Sequence, residues 1–267
     1  VNFVNTFKDE FVNSRVITTP SHYAYLKIAD GCYNHCTYCL IPKIRGKYRS
    51  YPMEELLSEA EELGDVSELI VVAQDSTRYG EDLYGENKFV ELLQKLSALE
   101  NIQKIRLLYC YPDVITDELI EELANNPRLV KYMDIPIQHI SDKMLGAMNR
   151  HGGKELIRDA VRRLRDGVPG IVLRSTAMVG FPGETEDDFA ELCEFIKEAR
   201  FDRFGAFTYS AEEGTLAAEF DGQIDEQIKQ DRYDVLMQTQ LTVSEEKNEE
   251  KIAELQSFIA RFSANKS

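Results

Sequence analysis

Three of the chain's five cysteines, Cys32, Cys36 and Cys39, stand within eight positions in "DGCYNHCTYC". Soft thiolates at that spacing can wrap one compact metal centre. A closed structural zinc site takes four ligands, and His35 and His139 are the candidates to complete one. A cubane 4Fe-4S cluster, ordinarily held by four cysteines, would here keep one iron free of protein sulfur, a place for a substrate or cofactor. The spacing favours the cluster, because His35 lies inside the loop and no finger-like pair of ligands follows it. Packing alone explains the trio poorly, since strand alternation does not bury all three together. Cys110 in "LLYCYP" and Cys193 in "FAELCEFIKEA" sit among apolar residues and read as core.

The elements that must position these residues alternate. His22–Ala29, Ser67–Ala73, Lys104–Tyr109, Val130–Ile135, Gly170–Met178 and Arg203–Tyr209 read as strands. Between them "YPMEELLSEAEELGD", Lys88–Leu99, Thr116–Ala124, Asp142–Asn149, Lys154–Arg165 and Glu186–Ala199 read as helices. Parallel pairing with right-handed crossovers would curl six such units into a partial (β/α)6 barrel; the other architecture is a flat, doubly wound sheet. In a barrel the loops that follow the strands gather at one rim, where such folds place their chemistry. Besides the cysteine loop, that rim would hold Gln74, Asp75, Gln138 and His139, polar groups suited to orienting a polar ligand. In "GFPGETEDD", Gly180 and Gly183 permit a tight turn, and Thr185 with Asp188 can cap the next helix. A bare turn needs no ligand; its place at the rim suits a nucleoside contact. Arg174, in the apolar run "IVLRSTAMVG", either pairs with a carboxylate inside the barrel or faces outward.

A net charge of −16 excludes broad adhesion to DNA or other nucleic acid and favours a basic partner. The local exception, "PKIRGKYR", reads as a solvated edge or a short binding stripe. No apolar run is long enough to span a membrane, and the start "VNFVNTFKDEF" lacks a secretory signal, so a cytoplasmic protein is expected. Val1 in place of Met suggests an excerpt of a longer chain. After Gly214 a polar, helix-prone stretch runs from Ile224 to about Phe262, with Ile252, Leu255, Ile259 and Phe262 spaced as a packing seam. Walker, dinucleotide and metalloprotease signatures are missing, which removes kinase, dehydrogenase and zincin readings.

Cys-x3-Cys-x2-Cys with Tyr38 before the last cysteine resembles the signature of radical S-adenosylmethionine enzymes, whose partial (β/α)6 barrel agrees with the alternation. "CTYCLIPKIRGKYRS" is similar to the methylthiotransferase branch. "VAQDSTRYGEDLYG", "YMDIPIQHISDKMLGAMNR", "VGFPGETEDDF" and "FGAFTYSAEEGT" resemble its ribosomal-protein members, the RimO-like enzymes. The resemblance implies that Cys32, Cys36 and Cys39 hold a 4Fe-4S cluster whose open iron chelates S-adenosylmethionine. It implies a radical that abstracts hydrogen from the β-carbon of an aspartate in the twelfth small-subunit ribosomal protein, where a methylthio group is installed. Tyr38 would pack beside the cluster or adenine, with Gln74, Gln138, Arg174 and Gly183 as further cofactor contacts. An electron donor is required as a partner.

Family members carry an N-terminal domain with a second 4Fe-4S cluster and a small C-terminal β-barrel, neither visible here. Residues 1–21 are therefore expected as a leader or linker, 22–222 as the barrel and 223–267 as a helical extension. Two other readings stay open: a transfer-RNA adenosine methylthiotransferase, and a non-catalytic zinc-bearing module that binds through "PKIRGKYR".

Overall fold

In the computed structural model, which describes residues 19–264, the first strand is set by alternation. β1 (Tyr23–Lys27) buries Ala24 and Leu26 and turns Tyr25 and Lys27 to the opposite face. β2 (Ala29–Asp30), the cysteine loop, α1 (Ile41–Arg45) and β3 (Arg49–Ser50) follow, and β3 pairs antiparallel with β2 to close the base of the loop. α2 (Met53–Glu62) starts directly after Pro52 and buries Met53, Leu56 and Ala60. The chain continues through β4 (Val66–Val72), α3 (Glu81–Tyr84), α4 (Phe89–Ala98), β5 (Ile102–Leu107), α5 (Asp117–Asn125) and β6 (Tyr132–Asp134). It ends with α6 (Asp142–Ala147), α7 (Gly153–Gly167), β7 (Val172–Val179), α8 (Glu186–Ala199), β8 (Arg203–Thr208) and α9 (Glu226–Ala264). The leader expected before residue 19 lies outside the described residues.

β1, β4 and β5 pair in parallel, as do β6, β7 and β8. Val130 N–H donates to Ile105 O and Cys110 N–H to Asp134 O, both at 2.9 Å, which joins the two groups. The strand order is therefore the chain order, without the reversal that defines a doubly wound sheet. Among the described residues no ladder joins β8 back to β1, so the six parallel strands form an open sheet, the architecture expected of a partial (β/α)6 barrel. α1 and the start of β3 overlap "PKIRGKYR", the stretch read as a solvated edge or a short binding stripe; Pro42 opens that helix and Gly46, at φ +77°, ends it.

The two faces of the sheet differ in chemistry. Leu26, Leu69, Val71, Ile105, Leu107 and Leu173 are fully buried beneath Leu92, Leu93, Leu123, Leu164 and Leu192 of the surrounding helices. The inner face sets ion pairs among apolar side chains such as Ile70 and Val72. Arg106 pairs with Glu68 and lies 4.6 Å from the Tyr132 ring centre, and Arg174 reaches Asp134 at 3.5 Å. Of the two alternatives for Arg174, the carboxylate partner inside the barrel is the one found.

α9 corrects one expectation. Its packed face is Lys229, Arg232, Leu236, Gln240 and Val243, spaced by three and four residues along the half that lies near β8 and α8. Ile252, Leu255 and Ile259, expected to form the seam, are 57, 58 and 54 % exposed; the side chain of Phe262 lies outside the described residues. A 39-residue helix is about 58 Å long, more than twice the reach of the strands beside it, so its later turns run past the sheet.

Candidate cofactor site

The cysteine loop leaves β2 through Gly31, whose φ of +74° and 2.1 Å approach of a would-be Cβ to Lys47 O leave room for glycine alone. Cys32 N–H then donates to Gly46 O (3.3 Å). The far side of the loop is fastened to the end of α6. Asn149 Nδ2 donates to the carbonyls of Asn34 and His35 (3.1 Å each), Thr37 Oγ1 to Ala147 O (2.9 Å) and Thr37 N–H to Met148 O (3.1 Å). Buried Asp75 holds the near side: it accepts from Asn34 Nδ2 (3.0 Å), Thr77 Oγ1 (2.7 Å) and Arg78 Nε (3.2 Å). Burial pushes its carboxyl up, and these donors act against that push.

All three cysteines of the trio open on one cavity of about 260 Å³. Its walls include His35, Tyr38, Gln74, Tyr109, Tyr111, Pro136, Gln138, Arg150 and Thr176. Each sulfur faces a hydrogen-bonding group: Cys32 Sγ accepts from Asn34 N–H and Nδ2 (3.4 Å each), Cys39 Sγ from Ile41 N–H (3.4 Å), and Cys36 Sγ lies 3.4 Å from the Tyr111 hydroxyl. Burial pushes the Cys32 and Cys39 thiols up, which disfavours the free thiolate that a metal ligand requires. Arg150, 8 % exposed, stacks 4.0 Å from the Tyr111 ring centre, donates to Pro136 O and faces Cys36. Gln138 adopts φ +67°, and its Oε1 is buried with no partner among the described residues.

This donor set fits a cluster held by three thiolates. Cys110 and Cys193 are buried in the main core, Cys193 with its thiol pushed up to about 11 by burial, so neither is a fourth ligand. His139 is also committed elsewhere: Nδ1 accepts from Ser141 N–H and Nε2 donates to Glu184, both at 3.0 Å. Among the described residues no three His, Cys, Asp or Glu side chains close on a single point as one ion requires. Thiolates bound to three separate irons need not converge in that way.

Of the residues singled out by sequence, Tyr38, Gln74 and Gln138 line the cavity with the cysteines. Arg174 and Gly183 do not. Arg174 acts one layer below, and Gly183 is fixed by Gly222 O (3.0 Å) and Lys143 Nζ (2.8 Å) in a turn that serves α8. There Thr185 and Asp188 form the capping box expected of "GETEDD". Sequence reading missed Arg150, Tyr111 and Asn149. The available signal was "MNR", an arginine directly after a helix end within a strongly acidic chain.

Six parallel strands, a helix-covered outer face and a three-cysteine loop at the carboxyl-end rim define a class, and the sequence agrees: the Radical SAM superfamily profile matches residues 26–196, so the chain belongs to that superfamily. Within it, the chain is 51 % identical over 250 residues to "Ribosomal protein uS12 methylthiotransferase RimO" of Clostridium botulinum (strain Eklund 17B / Type B), covering 92 % of this chain and 56 % of that protein. The protein of the same name in Acetivibrio thermocellus is 52 % identical over 251 residues, 93 % of this chain and 55 % of its own length. The chain thus spans about half the length of the curated relatives it matches. Coproporphyrinogen III oxidase (HemN) from Escherichia coli superposes with a TM-score of 0.58 at 18 % identity, over 84 % of this chain and 52 % of that one. The radical S-adenosylmethionine methyltransferase TsrM from Kitasatospora setae gives 0.58 at 17 %, over 70 % and 36 %. At such identities the likeness is one of fold.

Proposed function

We propose that this chain is the cluster-bearing barrel of an enzyme that adds a methylthio group to the β-carbon of an aspartate in the twelfth protein of the small ribosomal subunit. The observation that carries it is a trio of cysteines opening on one cavity, in a chain 51 % identical to a uS12 methylthiotransferase. Cys32, Cys36 and Cys39 would hold three irons of a 4Fe-4S cluster and leave the fourth to S-adenosylmethionine. Bound there, the pair supplies the one-electron chemistry that opens an unactivated C–H bond.

The chain's own residues bind, orient and shield. Tyr38 lines the cavity beside the cysteines and meets Phe181 edge-on, with ring centres 6.4 Å apart. Gln74 and Gln138 offer amide groups to a polar cofactor, and the unpartnered Gln138 Oε1 asks for a donor from it. Arg150 supplies a fixed positive charge beside Cys36. Arg174 and Gly183 enter as supports: Arg174 steadies Asp134, which accepts from Tyr109 N–H (3.2 Å), and Gly183 shapes the turn beneath the rim.

A basic ribosomal protein suits a chain of net charge −16. An external electron donor completes the reaction, and a second 4Fe-4S cluster belongs to a neighbouring domain. The reading places the enzyme in the cytoplasm with its ribosomal target and gives it no DNA or membrane role; no helix among the described residues is long and apolar enough to cross a membrane. Anaerobic turnover of the full-length protein with the ribosomal protein and with transfer RNA, followed by mass analysis of both, tests it. A methylthio group on the aspartate is the expected product; modification confined to adenosine would replace this function with the transfer-RNA one.

A further inference from the structure

A second cavity, of about 420 Å³, opens beside the first, and Gln74 and Tyr109 are walls of both. Its other walls bring in Lys27 from the inner face of β1, Arg45 from the end of α1, and Asp30. Two cations on one acid is the reverse of the chain as a whole, where Asp and Glu number 47 against 31 Lys and Arg. Lys27 Nζ lies 3.3 Å from Asp30 and its side chain is 48 % exposed, so it remains open to a ligand. Arg174 adds a third cation on the same inner face, 44 % exposed.

The wall between the cavities is held under strain. Tyr109 sits at φ +57°, a left-handed conformation that costs a tyrosine energy. Two contacts keep it there: its N–H donates to Asp134 Oδ2 (3.2 Å), and its carbonyl accepts from Ser76 N–H (3.0 Å). A conformation fixed from both sides sets one aromatic ring between a cation-rich cavity and the cysteine cavity.

Building on the proposed function, we infer that the second cavity receives the side chain of the target aspartate and that Lys27 and Arg45 recognise its carboxylate. A carboxylate entering a partly desolvated pocket needs cationic donors to offset lost hydration, and these two residues provide them. A neutral amide or a nucleobase gains nothing comparable. With the carboxylate held by Lys27 and Arg45, the aliphatic carbons lie toward Gln74 and Tyr109, the side nearest the cysteines. The acidic exterior repels acidic peptides in general, so the enzyme selects a target that is basic overall and presents one acid at this place.

The test compares, in the full-length protein, affinity for a target peptide carrying the aspartate with affinity for the same peptide carrying asparagine. The unmodified protein should prefer aspartate by tenfold or more. Lys27→Met and Arg45→Gln should each bring the ratio toward one, and Lys27→Arg should keep most of it. An undiminished ratio in both Lys27→Met and Arg45→Gln overturns the assignment. A second measurement needs no variant: N-acetylaspartate amide should protect Lys27 from reductive methylation, and N-acetylasparagine amide should not. Equal labelling with the two compounds also overturns it. If the enzyme methylthiolates no ribosomal protein while the aspartate compound still protects Lys27, the functional reading fails and the acid-binding cavity stands; methylthiolation with an undiminished ratio is the opposite result.

Discussion

Cys36 is the sulfur most closely surrounded by polar side chains: the Tyr111 hydroxyl lies 3.4 Å away, and the Arg150 guanidinium, stacked on the Tyr111 ring, faces it from the same side. Hydrogen bonds and nearby charge at the sulfurs set the potential of an iron-sulfur cluster. Reduction adds negative charge, so removing a cation or a donor makes the reduced state less favourable. Arg150→Met and Tyr111→Phe should therefore each lower the midpoint potential of the reconstituted cluster, and Arg150→Lys should hold it nearer the original value, as read by a spectroscopic redox titration. Unchanged potentials in both of the first two variants would contradict this role. The trio itself was legible in the sequence because its ligands are neighbours in the chain. Arg150 and Tyr111 were not: Arg150 reaches Cys36 only after the end of α6 packs on a loop 115 residues earlier, through Asn149 and Asn34, and Tyr111 comes from the loop after β5, 75 residues along the chain from Cys36.

Among the elements, α8 was legible to its ends, since its start is written locally in the Thr185–Asp188 box and its face in Phe189, Cys193 and Ile196. The seam of α9 was misplaced for a physical reason: periodicity tells which residues share a face, and says nothing of whether another element lies against it. The packed half combines buried Leu236 with an electrostatic anchor. Arg232 pairs with buried Glu184 (2.7 Å), which also accepts from His139 (3.0 Å) and from Gly180 N–H (2.7 Å). Arg232→Met would leave that carboxylate without its cation and should cost roughly 3 kcal/mol in urea unfolding, the usual penalty for breaking a buried pair; a loss under about 0.5 kcal/mol, the scale of a surface substitution, would argue against the anchor. Asp188 adds a pH dependence. Burial raises its carboxyl, yet hydrogen bonds from Lys143, Ser141 and Thr185 outweigh that and hold it well below the usual carboxylate range. A depressed value means stability that is present above the unfolded-state pKa of about 4 and lost as pH falls below it. Thermal melts taken from about pH 6 down to pH 3 should show a shallower acid decline in Asp188→Asn than in the unmodified protein.

At the scale of the whole molecule, one sheet carries two kinds of chemistry. Its outer face is apolar and buried under helices, and its inner face carries ion pairs among apolar side chains and leads up to the rim where the cysteine loop sits. The barrel class was legible because alternation of strand and helix constrains topology. The openness and charge of the interior were not, since they depend on which strand face turns inward. The account rests on the cysteine trio carrying an open-cornered cluster, and this 267-residue chain tests that most directly after anaerobic reconstitution with iron and sulfide. Metal analysis should find about four irons per chain. They should be lost when Cys32, Cys36 and Cys39 are replaced together by alanine, and added S-adenosylmethionine should change the paramagnetic resonance of the reduced protein. Zinc without iron, iron retained by the triple variant, or a resonance indifferent to S-adenosylmethionine would contradict the account.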